Sequence, residues 1–450
     1  MSQAPVKLNT SKTALFTLTV TGLALIATTA IWLGMWDHQR VTYYFWIFNF
    51  QSVLFLIAAG VVINYEPDRR ALYLVLAVAF ILRVMLLPTE PAHSTDIFRY
   101  VWEGYVQTHG INPFRYVPAA DQLAHLRDTY VYPNINRKEY VRTPYPPVAQ
   151  IIFAISNLIR PLGVTTLKVI WVSLEGVTIW SLIRLLEHLK MNPARVIVYA
   201  WCPLSIWEIS QNGHLDAGPA TFIALAGLAA ARRRSATTGV LIALATMVKL
   251  FPGILAAALW RKWDRRLIIG MASTLILFYL PYLGVGKDIL GFVTHYPSEE
   301  GFFSGERYLL LKWIHMVIPL PPLVYLGGFI ALLGIVTARL MFKGEKTIEE
   351  QLRGCTLLAG LILFFISPQY GWYYLWLLPF LCVTIERVSL LQVVSVMTVI
   401  AGYLRYHAAR VITPDMAVAP ITIVASLRQR PTIQWLWLVM IASAAWLSWI

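Results

Sequence analysis

Apolar runs long enough to cross a bilayer alternate with short polar or basic breaks along nearly the whole chain. A crossing helix needs about 20 apolar residues for a hydrocarbon core of roughly 30 Å. Runs near 13–35, 43–64 and 70–88 meet this at once. Others follow near 167–187, 195–210, 217–231, 266–285, 322–342, 353–367, 372–385, 389–404 and 433–450, while 412–427 is consistent with either a span or a surface segment. The pattern predicts an all-α polytopic membrane protein of about 12 or 13 spans, with no soluble domain and no fixed-period repeat. It reads as one domain over residues 1–450: three spans within 13–88, an extracytoplasmic loop over 89–166, and the remaining spans over 167–450.

The polar breaks orient the chain. Asp68-Arg69-Arg70, Arg232-Arg233-Arg234, Arg261 to Arg266, Lys343 to Arg353 and Arg428-Gln429-Arg430 are clusters between apolar runs, the positive-inside pattern of a polytopic protein. With the N-terminus inside, 89–145 lies outside. The next apolar run, Pro146 to Arg160, has about 14 residues, or roughly 21 Å as a helix, which is too short to cross. If it crossed, the Arg232 and Arg261 clusters would face outward, so it is expected to lie in the outer interface as a juxtamembrane helix opened by Pro146-Pro147.

Both ends of the apolar stretch between Arg234 and Arg261 belong in the cytoplasm, so a single crossing fails. Two half-length helices broken at Lys249-Leu250-Phe251-Pro252 satisfy the charge rule, provided the break lines a cavity. Lys249 there either meets an anion or snorkels to an interface. Glu175, in the middle of a span, is either paired with a basic residue or protonated.

Composition agrees: 58% hydrophobic, 13% charged and a mean hydropathy of +0.62. The net charge of +14 does not indicate a nucleic-acid partner, because it sits in clusters between spans. Cys202, Cys355 and Cys382 fall in apolar runs and imply neither a disulfide framework nor a metal site. Lys7 and Lys12 precede a full-length span followed directly by others, so no cleaved signal is expected.

Four polar clusters remain, all on the outer side. The first reads His93-Ser94-Thr95-Asp96-Ile97-Phe98-Arg99-Tyr100-Val101-Trp102-Glu103-Gly104, then Gly110-Ile111-Asn112-Pro113-Phe114. Ser94 is a natural N-cap, and Asp96, Arg99, Tyr100 and Glu103 share one helix face. Two carboxylates and a guanidinium at a membrane surface suit acid/base work on a charged, lipid-borne substrate. Singly, Asp96 could merely complement the helix dipole and Glu103 merely pair with Arg99.

The second cluster, Glu208 to Asp216, contains the turn signal Asn212-Gly213 followed by His214 and Asp216, the latter also suited to an N-cap. The third, Ser367 to Trp376, is either an aromatic belt or a sugar-stacking surface using Trp372 and Tyr373. The fourth, Gly301 to Tyr308, could form a Gly-hinged lid.

As an ordered set, Asp96-Ile-x-Arg99-Tyr100-x-Trp102-Glu103-Gly104, Gly110-Ile-Asn-Pro-Phe114, Tyr145-Pro-Pro-Val-Ala-Gln150, Trp201-x-Pro203 and Gly213-His-x-Asp216 resemble the bacterial GT-C integral membrane glycosyltransferases. The branch most resembled is mannosyltransferase-like, grouped with the glycosylphosphatidylinositol and actinobacterial mannan enzymes. The resemblance covers roughly 70–430. It implies a GT-C-like fold, a polyprenyl-phosphate-linked sugar as donor, and a site on the extracytoplasmic face of the bacterial cytoplasmic membrane. It also implies that the first large loop carries the catalytic carboxylate, by that carry-over Asp96 as general base. Glu103 stands where many relatives have Asp, and the loop has no adjacent acid pair, so no cofactor and no divalent metal are expected.

The chemistry accords with these residues. A lipid-phosphate leaving group needs charge neutralisation, and a poor hydroxyl nucleophile needs a carboxylate base. Asp96 and Glu103 are therefore the catalytic candidates. Arg99, Lys249, Tyr100, His214, Asp216, Tyr145, Trp372 and Tyr373 are the candidates for the donor's phosphate and sugar. A single displacement inverts the transferred hexose, for which mannose is favoured. The acceptor is a glycan, glycolipid or protein hydroxyl. A transporter or scramblase of lipid-linked sugars would also need intramembrane charge and broken helices, and a lipid-linked glycan ligase or polymerase fits the same outer loops.

Overall fold

The computed structural model describes residues 4–385 apart from Trp36, His93, His295 and Gln369. The spans expected near 389–404 and 433–450, and the 412–427 stretch, lie outside the described residues. Within them every regular element is helical, and five helices are long and apolar enough to cross a membrane: Lys12–Leu33, Trp46–Tyr65, Val164–His188, Arg265–Glu299 and Pro322–Phe342. The fold class is thus an all-α polytopic membrane protein.

Helices α1 (Ala4–Leu33), α2 (Asp37–Tyr65) and α3 (Arg69–Leu86) form the N-terminal group. Asp68 caps α3 by accepting the Arg70 amide. Gln51 is the buried polar link of the α1–α2 pair: its amide donates to the hydroxyls of Thr28 and Thr29 at 3.0 Å each. Its carbonyl accepts Trp207 Nε1 at 2.6 Å, joining this pair to the later segment that carries Glu208 and His214.

That segment departs from expectation. The run 195–210 is not one continuous helix; it is a chain of short turns, Pro193–Val196, Ile197–Ala200, Pro203–Ser205 and a π-helical turn, Ile206–Gln211. Pro203 lacks the amide that would continue the helix. The carbonyl of Ala200 freed at this break accepts Arg83 Nη1 at 2.9 Å. Arg83 also forks onto both carboxylate oxygens of Glu175, at 3.0 and 2.9 Å, with both side chains buried. The acid in mid-span is therefore paired, and one guanidinium satisfies both an intramembrane carboxylate and a broken helix.

In the first long loop, α4 (Asp96–Thr108) lies against α5 (Pro147–Ile159). Gly104 makes the approach possible: a Cβ there would stand 2.2 Å from the Phe153 carbonyl oxygen. With 13 residues, α5 is about 20 Å long and cannot cross a hydrocarbon core. Its Ile155, Leu158 and Ile159 are exposed, whereas Val148, Ala149 and Phe153 are buried.

After α6 (Val164–His188) and α7 (Ala217–Ala231), the stretch between the basic clusters is broken as expected. Helix α8 (Ser235–Thr246) ends before Lys249, and the chain resumes as a 3₁₀ turn, Phe251–Ile254, and α9 (Leu255–Leu259). The break is capped from outside its own sequence. The Met247 carbonyl accepts the amides of Val148 and Ala149, at 3.0 and 3.2 Å, from the first turn of α5. Orphan groups of two helix ends thereby satisfy each other.

Candidate active site

Asp96 opens α4, but its cap differs from the sequence expectation. Thr95 holds the N-cap position without a side-chain cap bond, while the Ser94 hydroxyl accepts the Asp96 amide at 3.2 Å. The Asp96 side chain is 24% exposed, and its Oδ1 accepts Asn136 Nδ2 at 2.7 Å. Its Oδ2 faces His214 Nδ1 at 3.9 Å.

His214 arrives there because of the turn before it. Gly213 has φ +71°, and a Cβ on it would strike Ile97 Cδ1 at 2.2 Å. Only a glycine lets this turn press onto the first turn of α4. The buried His214 ring stacks on Trp372 at 3.8 Å between centroids, and its Nε2 lies 3.3 Å from Glu208 Oε2.

Asp216 occupies the N-cap position of α7, yet its side chain makes no cap bond. Instead Oδ1 accepts Lys249 Nζ at 2.7 Å, and the ammonium sits 3.6 Å from the centroid of the Tyr373 ring. Burial pushes the Asp216 carboxyl up, the Lys249 ammonium pulls it back, and Asp96 adds a further upward push. Lys249 is thus not a lone cation: the sequence reading missed its carboxylate partner, which lies 33 residues away. The hydroxyl of Tyr373 meets that of Tyr296, in the loop over 286–320, at 2.5 Å. That loop is tied to the first one by Arg137–Glu299 at 2.7 Å and Arg142–Asp288 at 2.6 Å.

Arg99 and Glu103 form a separate, buried group. Glu103 Oε1 lies 2.5 Å from Arg99 Nε, and its Oε2 accepts Thr143 Oγ1 and Gln150 Nε2 at 2.6 Å each. Arg99 Nη2 donates to the Val141 carbonyl at 2.8 Å. Both carboxylate oxygens and the guanidinium are committed to the protein, where they staple α4 to the 141–145 segment and α5. Tyr100 lies between these groups, edge-on to Tyr145 and stacked on Phe153, both at 4.9 Å. Burial raises both tyrosine hydroxyls well above their ordinary range, so they stay protonated.

Of the residues chosen from sequence, Asp96, His214 and Trp372 therefore come together, and Asp216, Lys249 and Tyr373 form an adjoining group. Glu208, Asn136 and Tyr296 join them without having been singled out. Glu208 stood in the second polar cluster, but only its π-turn register turns it toward His214. Among the described residues no group of three or more His, Cys, Asp or Glu side chains is placed to hold a metal ion.

Residues 143–368, half of the chain, match the family model of glycosyltransferase family 87. The chain belongs to that family. It is a membrane glycosyltransferase, in keeping with the GT-C-like resemblance of its motifs. No curated protein and no solved structure matches it. The family 87 match takes in the Tyr145-Pro146-Pro147 motif, the His214–Asp216 turn and Lys249, while Asp96 precedes it and Trp372 follows it.

Proposed function

We propose that this family 87 glycosyltransferase moves a hexose, with mannose favoured, from a polyprenyl-phosphate-linked donor to an acceptor hydroxyl at the extracytoplasmic face of the bacterial cytoplasmic membrane. Asp96 is the general base: it takes the proton of the acceptor hydroxyl as that oxygen attacks the anomeric carbon. Lys249 neutralises charge on the departing lipid phosphate, exchanging its contact with Asp216 for the phosphate oxygens. A single displacement inverts the anomeric configuration. Trp372 and Tyr373 offer ring faces to the sugar. Arg99 and Glu103 act at a distance, by holding α4 and therefore Asp96 in place. The acceptor is a glycan, a glycolipid or a protein hydroxyl.

One observation carries this reading: a part-exposed carboxylate at the start of α4 and a lysine–carboxylate pair at a broken helix converge beside the same stacked aromatic group. A base without a nearby cation would serve the nucleophile and not the leaving group. The decisive assay uses purified protein with a short-chain polyprenyl-phosphate mannose and methyl mannoside, read by chromatography. Release of lipid phosphate together with a disaccharide supports the proposal. Intact donor, with a nucleotide sugar consumed instead, overturns it.

A further inference from the structure

Behind Asp96 stands a second carboxylate, with one imidazole between the two. His214 Nδ1 faces Asp96 at 3.9 Å and Nε2 faces Glu208 at 3.3 Å. Glu208 is 8% exposed and the His214 side chain is fully buried, so neither is placed to touch a substrate directly. We infer that Glu208 is a positioning residue for the transfer reaction, holding His214 as the second proton carrier behind Asp96.

The surroundings are built to fix this pair. The backbone amide of His214 donates to the Glu208 carbonyl at 2.9 Å, so the same residue engages both the main chain and the ring of the histidine. Asn212 Nδ2 donates to Glu208 Oε2 at 2.9 Å and steadies the carboxylate. The π turn that aims Glu208 this way is anchored by Trp207, whose indole binds Gln51 and packs edge-on against Trp32 at 4.8 Å and Tyr44 at 5.2 Å. Single π turns interrupting helices occur frequently at functional sites. Trp372 fixes the plane of the imidazole by stacking.

The relay requires the tautomer with the proton on Nε2, toward Glu208, and the lone pair of Nδ1 toward Asp96. Asn136 occupies Oδ1 of Asp96, which leaves Oδ2 for the ring. The 3.9 Å separation exceeds hydrogen-bond reach, and catalytic contacts of this kind tighten in the substrate complex.

The step balances as follows. The acceptor oxygen bonds to the anomeric carbon while the bond from that carbon to the phosphate oxygen breaks, its electron pair leaving with the phosphate. The acceptor proton passes to Asp96 and from Asp96 Oδ2 to His214 Nδ1. The imidazolium so formed is buried and is stabilised by Glu208. It returns its proton to water once product has left.

This inference rests on the proposed role of Asp96, and the test separates the two. With the same donor and methyl mannoside, kcat/KM of the wild-type protein should show an acid limb as His214 takes a proton. Other charged groups around the ring are Asp96 on α4, Glu208 on the π turn, Asp216, Lys249 at the helix break and Lys168 on α6. His214→Gln should change the limb to the one Asp96 gives alone and lower the plateau about 100-fold. Glu208→Gln should move the limb about 1 pH unit lower, because the imidazole loses an anion, and Glu208→Asp should recover most of the wild-type profile. A uniform loss at all pH values, with the limb unmoved in both Glu208→Gln and His214→Gln, overturns the inference. If Glu208→Gln does not fold, His214→Gln decides: an unmoved limb overturns it and a changed one supports it. Full activity of Asp96→Asn would overturn the base assignment itself. An inactive Asp96→Asn with an unmoved limb in His214→Gln would overturn the relay alone.

Discussion

Nζ of Lys249 lies 2.7 Å from Oδ1 of Asp216, so the cation at the broken helix is held by a carboxylate in the ligand-free protein. A phosphate oxygen bound by this lysine must compete with that carboxylate. On the proposed role of Lys249, donor affinity is a difference between two anion contacts and not the strength of one.

Lys249→Met should weaken donor binding by about 10- to 100-fold, the worth of a hydrogen bond to a charged group, and Lys249→Arg by much less. Asp216→Asn should act in the opposite direction and tighten it, since the competing anion is gone. Fluorescence or calorimetric titration with a short-chain polyprenyl-phosphate sugar reads both. Unchanged affinity in Lys249→Met removes this residue from the donor site.

The same pair sets a pH dependence. Burial raises the Asp216 pKa, so its neutral form is reached at a less acidic pH than for an ordinary aspartate. The phosphodiester donor stays anionic throughout. As pH falls, Asp216 should take up a proton before an ordinary aspartate would, release the ammonium and raise donor affinity. Asp216→Asn should flatten that profile. Affinity that instead falls with acidification in the wild-type protein contradicts this sign.

Asp96→Asn keeps the shape of the side chain while removing the proposed base. Turnover should drop about 100- to 10,000-fold, with the thermal midpoint in detergent close to that of the wild-type protein. Retention of turnover would release Asp96 from the reaction.

Breaking the Arg83–Glu175 pair from one side leaves a buried charge without its partner. Arg83→Met or Glu175→Leu alone should each cost about 3–5 kcal/mol, while the double replacement should regain most of it. Thermal unfolding of the four proteins in detergent forms the cycle. Additive losses would mean that the two residues act independently.

Labelling can place α5. Gln150 is buried and bound to Glu103, so a cysteine there reports on folding and not on topology. Leu158, 74% exposed, is the better site. Leu158→Cys should react with an impermeant maleimide from the outside, and Arg233→Cys only from the cytoplasm. Outside labelling at position 233 would invert the topology after residue 145.

Five long apolar helices, the short α5 and the break before Pro252 were legible because each depends on run length, charge sidedness or proline, which local sequence carries directly. The partners were not. Lys249 and Asp216 are 33 residues apart, Arg83 and Glu175 are 92 apart, and Glu103 shares its oxygens with Thr143 and Gln150, 40 and 47 residues on. Helical spacing reports neighbours within a turn, so it placed Arg99 and Glu103 on the face of Asp96. It also offered the Arg99–Glu103 pair that the structure shows, but not the partners from Val141, Thr143 and Gln150 that complete it. In the same way the run 195–210 reads as a continuous span, because nothing local announces that Arg83 will take the carbonyl exposed at Pro203.

The amides of Val148 and Ala149 on the carbonyl of Met247 set the boundaries of any domain exchange within the family. A chimera that transplants residues 89–145 alone would carry Asp96 on a donor segment while leaving its seating, α5 and the lysine turn, in the host. The transferable cassette is instead a discontinuous one, 89–160 together with 235–259, cut where the chain meets α6 on one side and the Arg232 and Arg261 clusters on the other. Smaller pieces would separate the seat of Asp96 from the turn that carries Lys249.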